Sequence, residues 1–140
     1  MKKSITLYII SVMVFLFVIS GCNKTDIDSD IWKSAVYTED TEFGSGEKTI
    51  KTEVIVNDKS VTFTVNTDKE NLADALTEHD IISGEDGPYG LYIKKVNGIV
   101  ADYDENASYW SLSNDGEYMQ TGVSDTVISD GEHYELTYTK

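Results

Sequence analysis

The sequence predicts an α+β domain in which a mixed sheet packs on one helix. Three observations carry this. Apolar and polar residues alternate over several short runs after residue 48, the period of strands with one buried face. A single stretch, Leu72 to His79, spaces its apolar residues at the period of a helix instead. Turn-forming stretches such as Asn97-Gly98 and Asn114-Asp115-Gly116 punctuate the strand runs.

Residues 1–22 read as an address rather than as part of the fold. Lys2 and Lys3 precede an apolar run from Ile5 to Ile19, interrupted only by Thr6 and Ser11. The run ends in Ile19-Ser20-Gly21-Cys22, small residues set directly before a cysteine. That layout is a secretory signal finished by a lipobox, with cleavage before Cys22 and diacylglycerol on its thiol. The run is shorter than the 18 or so residues of a spanning helix, and two or three acyl chains such as palmitate hold a protein stably at a surface. The expected location is the outer, extracellular face of the cell membrane, lipid-anchored.

Cys22 is the only cysteine, so the mature domain forms no internal disulfide and relies on a hydrophobic core. Without Lys2 and Lys3 the chain carries nine lysines against 25 Asp and Glu, a net charge of −16. Such a surface repels nucleic acid and anionic headgroups. Its plainest role is to keep an exposed protein soluble, and cation binding is the weaker alternative.

Residues 23–48 read as an acidic linker, NKTDIDSD and then TEDTEFGSGEK. As a flexible coil it spans about 30 Å root-mean-square. Trp32, Val36, Tyr37 and Phe43 are unusual for a spacer; they either pack as an extra strand or form a docking segment.

The folded domain is expected over residues 49–140. Ile50, Val54 and Val56 alternate with polar positions, as do Val61, Phe63 and Val65, and Asn57-Asp58-Lys59 turns one strand into the next. Thr67-Asp68-Lys69-Glu70 reads as a capping box opening the helix, with Leu72, Ala75, Leu76 and His79 on one stripe and an end near Asp80. Ser83 to Pro88 reads as a loop. Further strands are Leu91–Val96, Tyr109–Ser113, Glu117–Met119 and His133–Thr139, with a short one near Val123 or Val127. The order β-β-α-β-β-β is the β-grasp arrangement.

Nothing in the sequence calls for an enzyme. No free cysteine remains, no G-x-S-x-G motif occurs, and His79 and His133 are far apart. His79 reads as a core or capping residue, and His133 as pointing opposite to Tyr134. Asp102, Asp104 and Asn106 match the start of a calcium loop, but Ala107 and Ser113 stand where Gly and a bidentate Glu belong. Aromatics remain: Tyr89, Tyr92, Tyr103, Tyr109, Trp110 and Tyr118 crowd the part after the helix. Such rings suit either a core or a platform for a flat apolar ligand, and Trp110 fits both equally.

The stretches ENLADALTEH, GPYGLYIKKVNGI, ASYWSLSNDGEYMQTGVSD and SDGEHYELTY, in this order, resemble the C-terminal β-domain of transcobalamins and intrinsic factor and the related bacterial transcobalamin-like lipoproteins. The resemblance spans residues 49–140 and implies a β-grasp fold. In the vitamin carriers this domain closes over one side of cobalamin while a larger α-helical barrel holds the other. Carried over residue by residue, it implies ligand contacts at Tyr89 and Gly90 in the Gly87–Gly90 approach, at Tyr109 and Trp110, and at Gln120, Gly122 and Val123; Tyr92 of the aromatic cluster is an expected contact beside them. Thr121 departs from the carriers' direct Gln-Gly, and no α-barrel accompanies the domain. The expected function is therefore non-catalytic capture of a corrinoid or similar planar ligand for a membrane importer, with no cofactor required. The alternative is a protein-interaction or adhesion module on the cell surface.

Overall fold

The computed structural model describes residues 30–140, so the expected signal segment with Cys22, and the first part of the expected linker, lie outside the described residues. In chain order the elements are β1 (Thr41–Phe43), β2 (Lys48–Val56), β3 (Lys59–Thr67), α1 (Leu72–Thr77), β4 (Ile82–Gly87), β5 (Gly90–Val96), β6 (Ile99–Val100), α2 (Tyr103–Asn106), β7 (Tyr109–Asn114), β8 (Glu117–Tyr118) and β9 (His133–Thr139). A 3-10 turn at Val123–Asp125 precedes β9.

The alternation in β2 and β3 does what its period requires. Ile50, Val54, Val56, Val61, Phe63 and Val65 are buried on one face, while Lys51 stands out on the other. The two strands pair in antiparallel register down to Val56 and Lys59, leaving Asn57-Asp58 as a two-residue turn. The larger sheet runs β1-β3-β2-β9-β7-β8, with β2–β9 and β1–β3 parallel and the remaining pairs antiparallel. Tyr134 and Leu136 of β9 and Trp110 and Leu112 of β7 add to its buried face. Leu72, Ala75 and Leu76 of α1 join the same core. The chain is thus an α+β protein dominated by strands.

Several expectations change. The sheet is not single: β4, β5 and β6 form a separate three-stranded sheet. Ser83 to Gly87 is strand rather than loop, and it escapes the alternation rule because everything after Ile82 in β4 is exposed on both faces. The helix opens at Asn71, not at Thr67, which is the buried last residue of β3. Asn71 Oδ1 accepts from the Asp74 backbone N–H at 2.8 Å, and its amide donates to the Asp74 carboxylate at 2.9 Å. The helix ends at Thr77, and Asp80 then turns left-handed at φ 56. Near 123–127 there is no strand; Val127 makes only an isolated bridge to Asn71.

Of the stretch read as linker, residues 30–48 pack on the domain. β1 extends the sheet beside β3, and Tyr37, Phe43 and Phe63 meet edge to face with centroids 5.2–5.6 Å apart. Trp32 is also half-buried against the core. Of the four residues unusual for a spacer, only Phe43 lies in the extra strand; Trp32 and Tyr37 pack on the core outside it, and Val36 is exposed. Among the described residues no helix is long and apolar enough to cross a membrane.

Candidate functional site

Two hairpins and the 3-10 turn build the candidate site. Gly87 and Gly90 pair across the Pro88-Tyr89 turn, which joins β4 to β5 and projects Tyr89 almost fully into solvent at 87% exposure. Gly90 has φ +91, and a Cβ there would lie 2.5 Å from the Cβ of Ser124. Only glycine lets the hairpin press so closely on the 3-10 turn. The contact is locked by Ser124 Oγ, which accepts from the Leu91 N–H at 2.9 Å. On the other side, Asp115 and Gly116 both take positive φ in a two-residue turn between β7 and β8, the geometry preferred by tight hairpins.

Between these parts lies a hollow of about 220 Å³, lined by Leu91, Tyr92, Ile93, Trp110, Leu112 and Tyr118, and along its mouth by Met119 to Val123. A second hollow of about 410 Å³ adjoins it, lined by Glu85 to Tyr92 and Gly122. Leu91, Tyr92 and Gly122 belong to both. Together they have the size and the mixed apolar and aromatic lining of a small-molecule site.

Seven of the eight expected contact residues come together here: Tyr92, Trp110, Gln120, Gly122 and Val123 in the first hollow, Tyr89 and Gly90 in the second. Tyr109 does not. Neighbours along a strand point to opposite faces, so with Trp110 turned inward, Tyr109 faces out at 36% exposure and lines neither hollow. Trp110 is both core and lining: it is 8% exposed, packs edge to face on Tyr138 at 5.6 Å, and leaves its Nε1–H without a partner. Sequence reasoning missed Leu91, Ile93, Leu112 and Met119 as lining, and Ser124 as the residue that holds the hairpin. Only the unbroken Leu91-Tyr92-Ile93 run hinted at them.

The rim is acidic. Glu85 and Asp86 line the second hollow, and neither hollow is lined by lysine. Glu85 holds Lys94 at 3.2 Å, and this hydrogen bond and the carboxylate charge keep the Lys94 ammonium above the usual lysine range.

A wider groove of about 850 Å³ lies on the open face of the large sheet, among Asp40, Lys51, Thr62, Thr64, Asp130 and His133. It is open and carries no Phe, Tyr or Trp ring, and its Asp40 and Asp130 are already occupied by the Thr62 and Thr49 backbone N–H groups. It is the poorer candidate for an apolar ligand.

Neither histidine lines the paired hollow. His79 stacks on Phe43 at 5.4 Å, and His133 lies between Glu53, Asp115 and Glu135 at 3.5–3.8 Å on the open sheet face. The would-be calcium loop is a helix start: Asp102 Oδ1 accepts from the Asp104 and Glu105 N–H groups, and Asn106 Oδ1 accepts from Ser108. Among the described residues no group of three or more His, Cys, Asp and Glu side chains is arranged to hold a metal ion.

The fold has solved relatives. A proposed metal binding protein from Ruminococcus gnavus ATCC 29149 is 35% identical, with a TM-score of 0.64 over 67% of this chain and 98% of that one. Haptocorrin, in a crystal structure in complex with Cbi, has a TM-score of 0.56 at 21% identity over 70% of this chain, which spans only 26% of haptocorrin. The second likeness is one of fold. No curated protein matches the chain in sequence. The family model described as a domain of unknown function, DUF4430, matches residues 69–140, which take in α1, both hairpins and the whole of the paired hollow, and the chain belongs to that family.

Proposed function

We propose that this chain is a non-catalytic binding module of the transcobalamin-like, β-grasp type, held by lipid on Cys22 at the outer face of the membrane. It takes a flat, largely apolar ligand, a corrinoid or a molecule of similar shape, for transfer to a membrane importer. One observation carries the reading: residues from three separate stretches, 89–92, Trp110 and 120–123, line adjoining hollows. The sheet order β3-β2-β9-β7-β8 with α1 across one face supports the β-grasp reading. The fold likeness to haptocorrin supports the ligand class. Metal binding, the property proposed for the R. gnavus relative, finds no ligand set among the described residues and is not part of this reading.

The test is equilibrium binding of cobalamin and cobinamide to the full chain in detergent, followed by tryptophan fluorescence. Saturable quenching that persists in Trp32→Phe is expected, because Trp110 then reports from the hollow. Absence of binding by either compound overturns the reading.

A second reading is favoured by Tyr89 and Tyr118, which are 87% and 69% exposed at the rim. Exposed tyrosines of this kind also anchor protein partners. On that reading Trp110→Ala folds and leaves vitamin uptake by cells unchanged, whereas on the first it lowers uptake.

A further inference from the structure

We infer that the paired hollow selects planar ligands whose edge carries amide N–H donors over ligands whose edge carries carboxylates, with Asp86 and Glu85 as the selecting residues. This rests on the binding reading above and specifies which ligand that site accepts.

Across the β4–β5 hairpin, Glu85 is the register partner of Tyr92, and Asp86 of Leu91. Directly opposed residues of an antiparallel pair share a face and neighbours along a strand alternate, so Asp86 stands with Leu91 on one face of the hairpin and Glu85 with Tyr92 on the other, and all four line the second hollow, which reaches both faces. Asp86 is exposed and has no hydrogen-bond or ion-pair partner among the described residues, which leaves its oxygens available to a ligand. Glu85 has one partner, Lys94, so the nearest ammonium is already engaged. No other cation stands at the rim on either face, since neither lining includes lysine and the sequence has no arginine.

An amide edge reaching Asp86 donates N–H to a carboxylate, a charge-assisted bond stronger than one between neutral groups. A carboxylate edge meets like charge instead. At a separation of about 4 Å in water, that repulsion alone disfavours binding by about fivefold per facing pair, and by more where water is excluded.

The experiment compares cobinamide with cobyrinic acid, which keeps the corrin ring and cobalt but carries carboxylates in place of the amides. Both are titrated into the full chain in detergent at pH 7.5, at low and high salt. Cobinamide is expected to bind about tenfold or more tighter in low salt, with the gap shrinking as salt screens the rim. Asp86→Asn is expected to narrow the preference by about fivefold, and Glu85→Gln to narrow it further. Asp58→Asn removes the same charge at the β2–β3 turn, outside both hollows, and should leave the preference unchanged. Equal affinities in the parent chain overturn the inference while leaving the binding reading intact. So does a preference that ignores Asp86→Asn and Glu85→Gln but follows Asp58→Asn. If neither compound binds, the binding reading falls and takes the inference with it.

Discussion

Tyr37 and Asn97 bind each other through a closed amide pair: the Tyr37 N–H donates to Asn97 Oδ1 at 2.9 Å, and Asn97 Nδ2 donates to the Tyr37 carbonyl at 2.8 Å. A third bond runs beside them, from the Val36 N–H to the Asn97 carbonyl at 3.0 Å. One buried side chain thus imitates a strand partner and fastens residues 36 and 37 to the β5–β6 turn. Asn97 has φ 50, so Asn97→Gly keeps the backbone conformation and deletes only the amide. The expected result is a loss of about 1–3 kcal/mol, with faster hydrogen exchange confined to residues 30–43. Exchange that rises evenly across the domain would refute the clamp.

Gly90→Ala and Gly116→Ala separate strain from collision. Both glycines have positive φ, +91 and +82, yet a Cβ at Gly116 meets nothing within 4 Å while one at Gly90 runs into Ser124. Gly116→Ala should cost about 1 kcal/mol of backbone strain. Gly90→Ala should cost clearly more in a urea titration, and should alter the near-ultraviolet signal of the tyrosines around the hollow.

Thr52 is fully buried on the core face of β2, and its hydroxyl has no hydrogen-bond partner. Strand alternation forces this position inward, where a methyl would serve better than a hydroxyl. Thr52→Val should therefore raise stability by about 1 kcal/mol, read as a higher urea midpoint with an unchanged slope.

Tyr134 gives the fold a limit at alkaline pH. Its ring is 1% exposed and its hydroxyl donates to the Glu132 carboxylate. Burial, then that bond and the charge of Glu132, push the phenol above its ordinary value of 10. The unfolded chain releases this proton from about pH 10 while the folded chain retains it, so the stability is complete below pH 10 and lost above it. The expected slope is about 1.4 kcal/mol per pH unit in that range. Tyr134→Phe should flatten the fall in melting temperature between pH 10 and 11.5; an equal fall in both proteins would exclude this origin.

Much of the fold is legible because one face of each core strand is dry. Ile50 to Val65 announce β2 and β3 by period alone, and Asn97-Gly98 and Asp115-Gly116 announce their turns. β4 is silent for the opposite reason: past Ile82 it buries nothing, so its glycines and acids look like any loop. The sequence points to a helix start at Thr67 rather than Asn71 because a capping motif does not show whether its first residue already belongs to a strand. At the site, the same period of two separates Tyr109 from Trp110. The grip of Ser124 on Leu91 spans 33 residues and leaves no local mark in either stretch.

The sheet order also fixes how the domain can be presented. β1, which continues from the leading segment, is one margin of the six strands, and β8, beside the hollow, is the other. Strands about 4.8 Å apart set those margins roughly 24 Å from each other. The clamp at Asn97 ties residues 36 and 37 to the β5–β6 turn, so the chain touches the small sheet before it joins the large one at β1, and a pull on that segment is shared between the two sheets.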